Sequence, residues 1–163
     1  MKAVKYMAWI GIFVLISCKE FCIEGINKPS NVFPIDWENY NDVYTVFWNY
    51  YTFCTETNEN DRNKEIMISG WIYICSNSCR SEISLVEKNR VNDDFPFHIV
   101  HVLSSDDDMY KEFRAVLDTC DLSKECFIKG KLIFSCDETA PTRQCAKSKP
   151  FIVLNSIDDI YFK

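Results

Sequence analysis

Glycine and proline are scarce in this chain, with four and five copies in 163 residues. That scarcity excludes a collagen-like or low-complexity protein. Basic side chains are outnumbered, 18 Lys and Arg against 24 Asp and Glu, which disfavours nucleic acid as a partner because binding its backbone needs clustered Lys and Arg. The remaining composition, 47% hydrophobic and 26% charged, is ordinary for a folded chain, and its length suits one compact domain with a tail.

Motifs of enzyme chemistry are also missing. The sequence contains no HExxH, P-loop, G-x-S-x-G or CxxC motif. His98 and His101 are the only histidines. Because side chains alternate along a strand, two residues three apart point to opposite faces and do not share a metal ion. We therefore expect no enzyme, no metal and no cofactor.

What is present begins with an export leader. Lys2 and Lys5 precede an uncharged, mostly apolar run over residues 7–16, which is shorter than the roughly 20 residues of a membrane span. The run ends in Leu15-Ile16-Ser17-Cys18, which resembles a bacterial lipobox. The resemblance implies that the Cys18 thiol receives diacylglycerol and becomes the acylated amino terminus. The alternatives are a plain secretory signal with cleavage near Ser17 and a short buried hydrophobic helix.

The predicted cleavage site divides the chain into a leader, a tether and a domain. Residues 1–17 form the leader, residues 18–34 a tether and residues 35–163 a single domain, and without the leader 16 basic and 24 acidic side chains leave a net charge of −8. No Asp follows Cys18, so the inner-membrane retention signal of enteric lipoproteins is absent. That resemblance favours the outer membrane and leaves the leaflet, periplasmic or surface, open.

Cysteine is unusually frequent for a chain of this length, with nine copies. Taking Cys18 for lipid leaves eight, an even number that predicts disulfides in an oxidising compartment. The pair Cys136 and Cys145 flanks a polar segment and is the first expected bridge, followed by Cys120 with Cys126. Zinc is the rival interpretation, although the spacings are not characteristic of zinc ligands.

Hydrophobic periodicity predicts a small β-rich domain with one helix. Residues 65–75 alternate cleanly, with a glycine at the centre, and the acidic run 105–108 before apolar residues at helical spacing predicts a capped amphipathic helix. Further strands are predicted at 81–86, 97–103 and 126–134, and residues 151–154 with 157–162 are expected to form one fifth strand with a bend near Asn155 and Ser156. The aromatic segment 35–54 fits either a helix or a strand, and its β-branched and aromatic content favours a strand.

The element order is strand, strand, strand, helix, strand, strand, which is typical of an OB-fold, a five-stranded Greek-key barrel. We therefore expect a mainly β, OB-like barrel over residues 64–163 with one short helix between strands three and four, preceded by the aromatic segment 35–54; another small β-sandwich is the alternative. The glycines of strands one and four are placed where barrel strands curl. The expected core comprises Ile66, Ile68, Ile72, Ile74, Ile99, Val100, Phe113, Leu117, Ile128, Leu132, Phe134, Val153 and Ile157.

The layout resembles a group of small Bacteroidetes-type lipoproteins that carry an OB-like domain and have no assigned function. The lipobox is the specific part of this resemblance; residues 36–44, 68–73 and 157–162 carry the remainder. It implies an envelope-anchored protein, with the membrane as a partner through acylated Cys18, and it transfers no catalytic or binding residue.

Candidate ligand-binding residues come from the barrel strands. Trp71 and Tyr73 lie on the strand face opposite the isoleucines, and His98 and His101 complete the candidate set. OB-folds hold oligonucleotides and oligosaccharides on such a face, so we expect a binding or adaptor lipoprotein for a glycan, peptide or envelope protein. Two alternatives remain: rings of the segment 37–53 cover this face in a purely structural envelope protein, or the cysteines support a protease-inhibitor scaffold.

Overall fold

The computed structural model describes residues 28–75, 83–93, 98–136 and 147–163. Within these ranges the chain forms seven strands and two α-helices. In chain order they are β1 (Tyr40–Asp42), α1 (Val43–Tyr50), β2 (Glu65–Ile74), β3 (Ile83–Val86), β4 (Ile99–Ser104), α2 (Asp107–Thr119), β5 (Cys126–Cys136), β6 (Ser148–Leu154) and β7 (Ile160–Phe162). Neither helix in these ranges has the length and apolar character needed to cross a bilayer.

Five of the strands close into a barrel. The neighbours run β2, β3, β4, β6 and β5, and β5 pairs back onto β2. The contact between β4 and β6 is parallel and the other barrel pairings are antiparallel. With α2 inserted between the third and fourth barrel strands, this is the expected OB-like Greek-key barrel, and the prediction of the fold class is confirmed.

Side-chain alternation places one face of each strand in the barrel interior. The described core includes nine of the predicted residues: Ile66, Ile68, Ile72, Val100, Phe113, Leu117, Ile128, Leu132 and Phe134. Ile74 and Ile157 pack against that core while partly exposed. Ile99 and Val153 lie on the opposite strand faces, because Val100, Ile152 and Leu154 point inward instead.

The two predicted strand glycines are positions where neighbouring elements approach closely. A Cβ on Gly130 would lie 2.4 Å from the carbonyl oxygen of Val153 in β6. A Cβ on Gly70 would lie 2.7 Å from a methyl carbon of Val43, where α1 begins. Both distances are below van der Waals contact, so any larger residue would push the two elements apart.

The chain forms two strands where one bent strand is expected, and the division falls at the expected bend near Asn155 and Ser156. β6 ends at Leu154, and a 3₁₀ turn over Ile157–Asp159 redirects the chain before β7. The hydroxyl of Ser156 caps this turn by accepting from the amide of Asp158 at 3.2 Å. As a result β6 pairs with the second half of β5, and β7 pairs with Cys126–Ile128 at its beginning.

Within the aromatic segment the short strand β1 is followed by the eight-residue helix α1, so the preference for a strand is wrong over Val43–Tyr50. Asp42 caps α1, its carboxylate accepting from the amide of Thr45 at 2.6 Å. Val43, Val46 and Tyr50 follow at helical spacing and are buried in the core. The cap and this apolar spacing outweigh the strand propensity of the individual residues.

Both helices pack against the barrel core. Asp106 caps α2 by accepting from the amide of Met109 at 2.8 Å, as the acidic run predicts, and the helix buries Phe113 and Leu117. In α1, Tyr50 stacks on Phe134 near the end of β5, with ring centroids 4.7 Å apart. Both helices therefore contribute apolar side chains to one continuous core.

A disulfide joins Cys54 to Cys136, so the expected Cys136–Cys145 bridge is wrong. The amide of Ser148 donates to the carbonyl oxygen of Thr52 at 2.8 Å, which holds the segment after α1 beside the end of β5. The two bridged cysteines are 82 positions apart in sequence, and tertiary structure rather than local spacing brings them together. Cys145 and the lipid-attachment candidate Cys18 lie outside the described residues.

Candidate functional site

A cavity of about 370 Å³ opens beside Trp71, and we call it the Trp71 cavity. Four stretches of chain line it: the junction of β1 with α1, the middle of β2, the residues after β3, and Glu125 before β5. The lining residues are Asp42, Val43, Tyr44, Ser69, Gly70, Trp71, Val86, Glu87, Lys88, Asn89 and Glu125. Its volume falls within the range of small-molecule sites, and an aromatic wall with a few polar groups is typical of such sites.

The indole of Trp71 forms one wall of the cavity. Its Nε1 donates to the carbonyl oxygen of Ser123 at 3.3 Å, which fixes the ring edge against the loop before β5. The ammonium of Lys88 lies 5.7 Å from the ring centroid. The ring is therefore held at its edge by a hydrogen bond and carries a cation over one face.

Carboxylates dominate the charge of the lining. Asp42, Glu87 and Glu125 supply three negative charges, and Lys88 supplies the one positive charge among the described lining residues. Asp42 is engaged as the cap of α1. Glu87 contacts Nδ1 of His98 at 2.5 Å, so it too has a partner within the protein.

Ser69 adds a buried hydroxyl to the wall. The residue is only 3% exposed and lies in the lining of the cavity. A buried hydroxyl can donate one hydrogen bond and accept two. Ser69 therefore adds a polar group to the wall of the cavity.

A second feature runs across the outer wall of the barrel. Strand register places Tyr73, Ser84, His101 and Phe151 in one row over β2, β3, β4 and β6. Ser84 Oγ and His101 Nδ1 are 3.1 Å apart, and His101 stacks on Phe151 with centroids 5.1 Å apart. The row is therefore an interlocked set of partly buried side chains.

The four candidate ligand-binding residues do not form one site. Trp71 lines the cavity, and Tyr73 and His101 belong to the outer row. His98 lies under α1, where its ring is 5.0 to 5.4 Å from the rings of Tyr44, Phe47 and Trp48. The two histidines thus face different surroundings, with His98 directly before β4 and His101 within it.

The aromatic segment reaches the candidate site at one point. Of α1, only Val43 and Tyr44 line the Trp71 cavity, and the rings of Phe47 and Trp48 pack around His98 instead. The helix therefore borders the cavity and leaves it open.

The second expected disulfide is not formed, because Cys120 and Cys126 both carry thiols in the structure. Cys120 ends α2 and is partly exposed, and Cys126 begins β5 and is buried. Burial raises the pKa of the Cys126 thiol to about 12, and the nearby Cys120 adds to the rise. Among the described residues, no group of three His, Cys, Asp or Glu side chains is placed to hold a metal ion.

Several lining residues were missed at the sequence level. Asp42, Glu87 and Glu125 come from three separate segments, and each is flanked by residues that give no sign of a shared site. Ser69 lies in an alternating strand, where the period assigns it to a face without revealing a cavity. Only Trp71, a large aromatic residue on the non-core face, carried a usable signal.

Comparison with known proteins gives distant structural likenesses. No family model and no curated protein matches the chain. A DUF3299 family protein from Pseudomonas aeruginosa is 12% identical, with a TM-score of 0.38 and coverage of 71% of this chain and 72% of that one. An OBody bound to hen egg-white lysozyme is 14% identical (TM-score 0.40, coverage 68% and 91%), and Plasmodium falciparum SSB in complex with ssDNA is 17% identical (TM-score 0.38, coverage 66% and 99%). The assignment of an OB-like barrel follows from the strand pairing of this chain itself.

Proposed function

We propose that this protein is an exported lipoprotein whose OB-like barrel is a non-catalytic binding domain, with the Trp71 cavity as its ligand site. The observation that carries the proposal is the cavity itself, since it combines an indole wall, a buried hydroxyl and several carboxylates in about 370 Å³. The ligand classes that suit an extracytoplasmic domain of this kind are a glycan, a peptide or a segment of an envelope protein.

The anchoring part of the proposal rests on the leader. The basic start, the apolar run and Leu15-Ile16-Ser17-Cys18 occur in the order that a lipoprotein signal requires. The Cys54–Cys136 disulfide supports an oxidising destination, because such bonds persist outside the cytosol. Two or three acyl chains on one residue would anchor the domain durably, and the outer membrane is the proposed site.

Lipidation is testable by metabolic labelling with an alkyne-bearing fatty acid in a bacterial host. We expect the full chain to incorporate the label and Cys18→Ser to lose it. Cys22→Ser is the matched control, because Cys22 follows the lipobox closely without occupying its last position. Equal labelling of wild type and Cys18→Ser, or an unlabelled protein with its leader intact, would contradict the proposal.

Ligand binding is testable on glycan and peptide arrays with paired tryptophan variants. Trp71→Ala removes the cavity wall, whereas Trp37→Ala removes a surface indole that also has a lysine ammonium over its ring, 4.8 Å from Lys64. We expect Trp71→Ala to abolish saturable binding and Trp37→Ala to retain it. Equal losses, or no loss in either, would exclude the cavity as the binding site.

A structural role without a small ligand is the second candidate, favoured by an exposed aromatic row. Tyr40 is 58% exposed and Tyr161 46% exposed, and Phe127 lies between them with ring centroids 5.3 and 4.9 Å away. Exposed aromatic clusters mark interaction surfaces. In this case Tyr40→Ala with Tyr161→Ala would abolish association with a defined envelope protein, and Trp71→Ala would leave it unchanged.

A further inference from the structure

A second cavity, of about 360 Å³, lies at the other end of β5 from the Trp71 cavity, and we call it the Ser148 cavity. The Trp71 cavity includes Glu125, directly before β5, whereas this one includes the last three residues of that strand. Its described lining residues are Thr57, Glu59, Arg62, Phe134, Ser135, Cys136 and Ser148. Most of them carry a hydroxyl, a carboxylate or a guanidinium, so a molecule in this cavity meets mainly polar groups.

The hydroxyl of Ser148 is the observation that points to a ligand. Ser148 is fully buried and lines the cavity, and its Oγ has no hydrogen-bond partner among the described residues. Buried side-chain polar atoms in native proteins are in their large majority hydrogen-bonded, so this hydroxyl requires a partner from outside the chain. The cavity is far larger than the roughly 10–15 Å³ that holds one water molecule, so a larger molecule fits beside this hydroxyl.

The charged residues of the lining neutralise each other. Nη1 of Arg62 lies 3.4 Å from Oε2 of Glu59, and together they give the described lining no formal net charge. The cavity therefore has no strong electrostatic preference for an anion or a cation. Both side chains are about half exposed, 45% for Arg62 and 54% for Glu59, so the cavity opens to solvent beside them.

The hydrogen-bonding capacity of the lining is mixed. The carboxylate of Glu59 only accepts, the guanidinium of Arg62 only donates, and the hydroxyl of Ser148 does both. A ligand with adjacent hydroxyl groups satisfies all three, because each of its hydroxyls can donate to one protein group and accept from another. A ligand with a single charged group would satisfy only part of this set.

The polar groups are held in place before any ligand arrives. Nη2 of Arg62 donates to the carbonyl oxygen of Phe134, a residue 72 positions away, which ties the guanidinium to the end of β5. The Cys54–Cys136 disulfide joins the segment after α1 to the same strand end. A site whose groups are already positioned binds more tightly, because less conformational entropy is lost when the ligand enters.

We propose that the Ser148 cavity is a second ligand site and binds a neutral, polyhydroxylated ligand, a sugar ring whose adjacent hydroxyls pair with Ser148, Arg62 and Glu59. This inference goes beyond the proposed function, because the site is separate from the Trp71 cavity and is argued from different residues.

The probes are the methyl glycosides of glucose, galactose, mannose and N-acetylglucosamine. Cyclohexanol is the control ring without adjacent hydroxyls, and acetate and methylammonium are the charged comparators. Each is tested on the full chain by saturation-transfer NMR and calorimetry, in a detergent that has no sugar headgroup. We expect at least one glycoside to bind saturably, with the same affinity at low and high salt because it carries no charge. Binding of a charged comparator or of cyclohexanol without any glycoside, or no binding at all, would overturn the inference.

The decisive variant is Ser148→Ala, which we expect to weaken glycoside binding by about two- to tenfold. Ser84→Ala is the matched control, because Ser84 is also a buried strand serine but its hydroxyl lies 3.1 Å from Nδ1 of His101, outside the cavity. We expect Ser84→Ala to retain glycoside binding. Equal affinity of wild type and Ser148→Ala would exclude this cavity as the sugar site.

Urea unfolding of the ligand-free variants gives a second, independent readout. Because the Ser148 hydroxyl has no partner in the described structure, Ser148→Ala should leave the free energy of unfolding unchanged or raise it. Ser84→Ala should lower it, since that hydroxyl loses its contact with His101. A loss of stability in Ser148→Ala as large as that in Ser84→Ala would show that the hydroxyl serves the fold, and the inference would be wrong.

Failure of this inference is distinguishable from failure of the proposed function. If a glycoside loses binding in Trp71→Ala and keeps it in Ser148→Ala, the Trp71 cavity is the ligand site and the second site is wrong. If binding is weakened in Ser148→Ala and kept in Trp71→Ala, the second site stands. In that case the Trp71 cavity is judged separately, by whether any array ligand depends on Trp71.

Discussion

The Cys54–Cys136 disulfide allows a quantitative prediction about stability. Replacing both residues with alanine removes a crosslink across 82 positions, which restricts the unfolded chain. The loop-entropy relation gives a loss of about 4.5 kcal/mol at 25 °C for a loop of this length. Because domains of this size are stable by only about 5–15 kcal/mol, we expect the double variant to be folded but close to its limit.

The assay is urea unfolding followed by tryptophan fluorescence without reductant. Cys126→Ala is the control, because it removes a fully buried sulfur that closes no loop. We expect the double variant to lose about 3–4.5 kcal/mol more than this control, and its dependence on urea to steepen because the unfolded chain expands further. A difference below about 1 kcal/mol would refute the assignment of the bridge as a constraint on the unfolded state.

Three further predictions concern single side chains. Gly130→Ala places a Cβ 2.4 Å from a carbonyl oxygen of β6, so we expect a loss of about 2–3 kcal/mol in the urea assay, and a change below about 0.5 kcal/mol would contradict the close approach. Burial raises the pKa of the Cys126 thiol from 9.0 to about 12. At pH 8, iodoacetamide should therefore label Cys120 and spare Cys126 in the native protein, and equal labelling of both thiols would be inconsistent with this burial. The stability that the neutral buried thiol contributes should be present below pH about 9 and should decline as pH rises towards 12. Tyr50→Phe removes a hydrogen bond of 3.0 Å to Asp61 and should lower the free energy of unfolding by about 1 kcal/mol. Burial and the Asp61 carboxylate raise the pKa of Tyr50 above its ordinary value, so the stability that the neutral phenol contributes should weaken only above pH about 10. If the variant and the wild type lost stability equally at high pH, this contribution of Tyr50 would be refuted.

The barrel was predictable because its strands follow simple periods. Residues Ile66, Ile68 and Ile72 alternate with polar or aromatic neighbours, and this alternation identifies both the strand and its inner face. The cap at Asp106 marks the beginning of α2 equally clearly. Since the order of elements determines which small barrels are possible, these local signals were sufficient for the fold class.

Other features depend on information that short windows do not carry. In α1, residues of strand propensity form a helix because Asp42 caps it and the barrel buries one of its faces. The expected fifth strand divides near Ser156, whose hydroxyl caps the 3₁₀ turn that follows. The chain contains many serines, and the sequence alone does not show which of them caps a turn. The partner of Cys136 is set by tertiary packing, and no spacing rule selects Cys54 from the available cysteines.

The candidate site was the least predictable part. Trp71 was identified because a large ring lies on the solvent side of a strand, but its neighbours in the cavity come from distant parts of the chain. Glu125 precedes β5 by one residue, and only closure of β5 onto β2 brings it near Trp71. A site formed by barrel closure is therefore absent from any local pattern.

The ends of the sheet have a consequence for association of the protein with other chains. Barrel closure leaves β1 and β7 as the outermost strands, and each has three residues. An open strand edge is a template on which another chain can add by hydrogen bonding, and such addition leads to fibres. Edges this short offer few amide and carbonyl groups to an incoming strand, so the domain can carry exposed aromatic rings without an extended edge that would promote polymerisation.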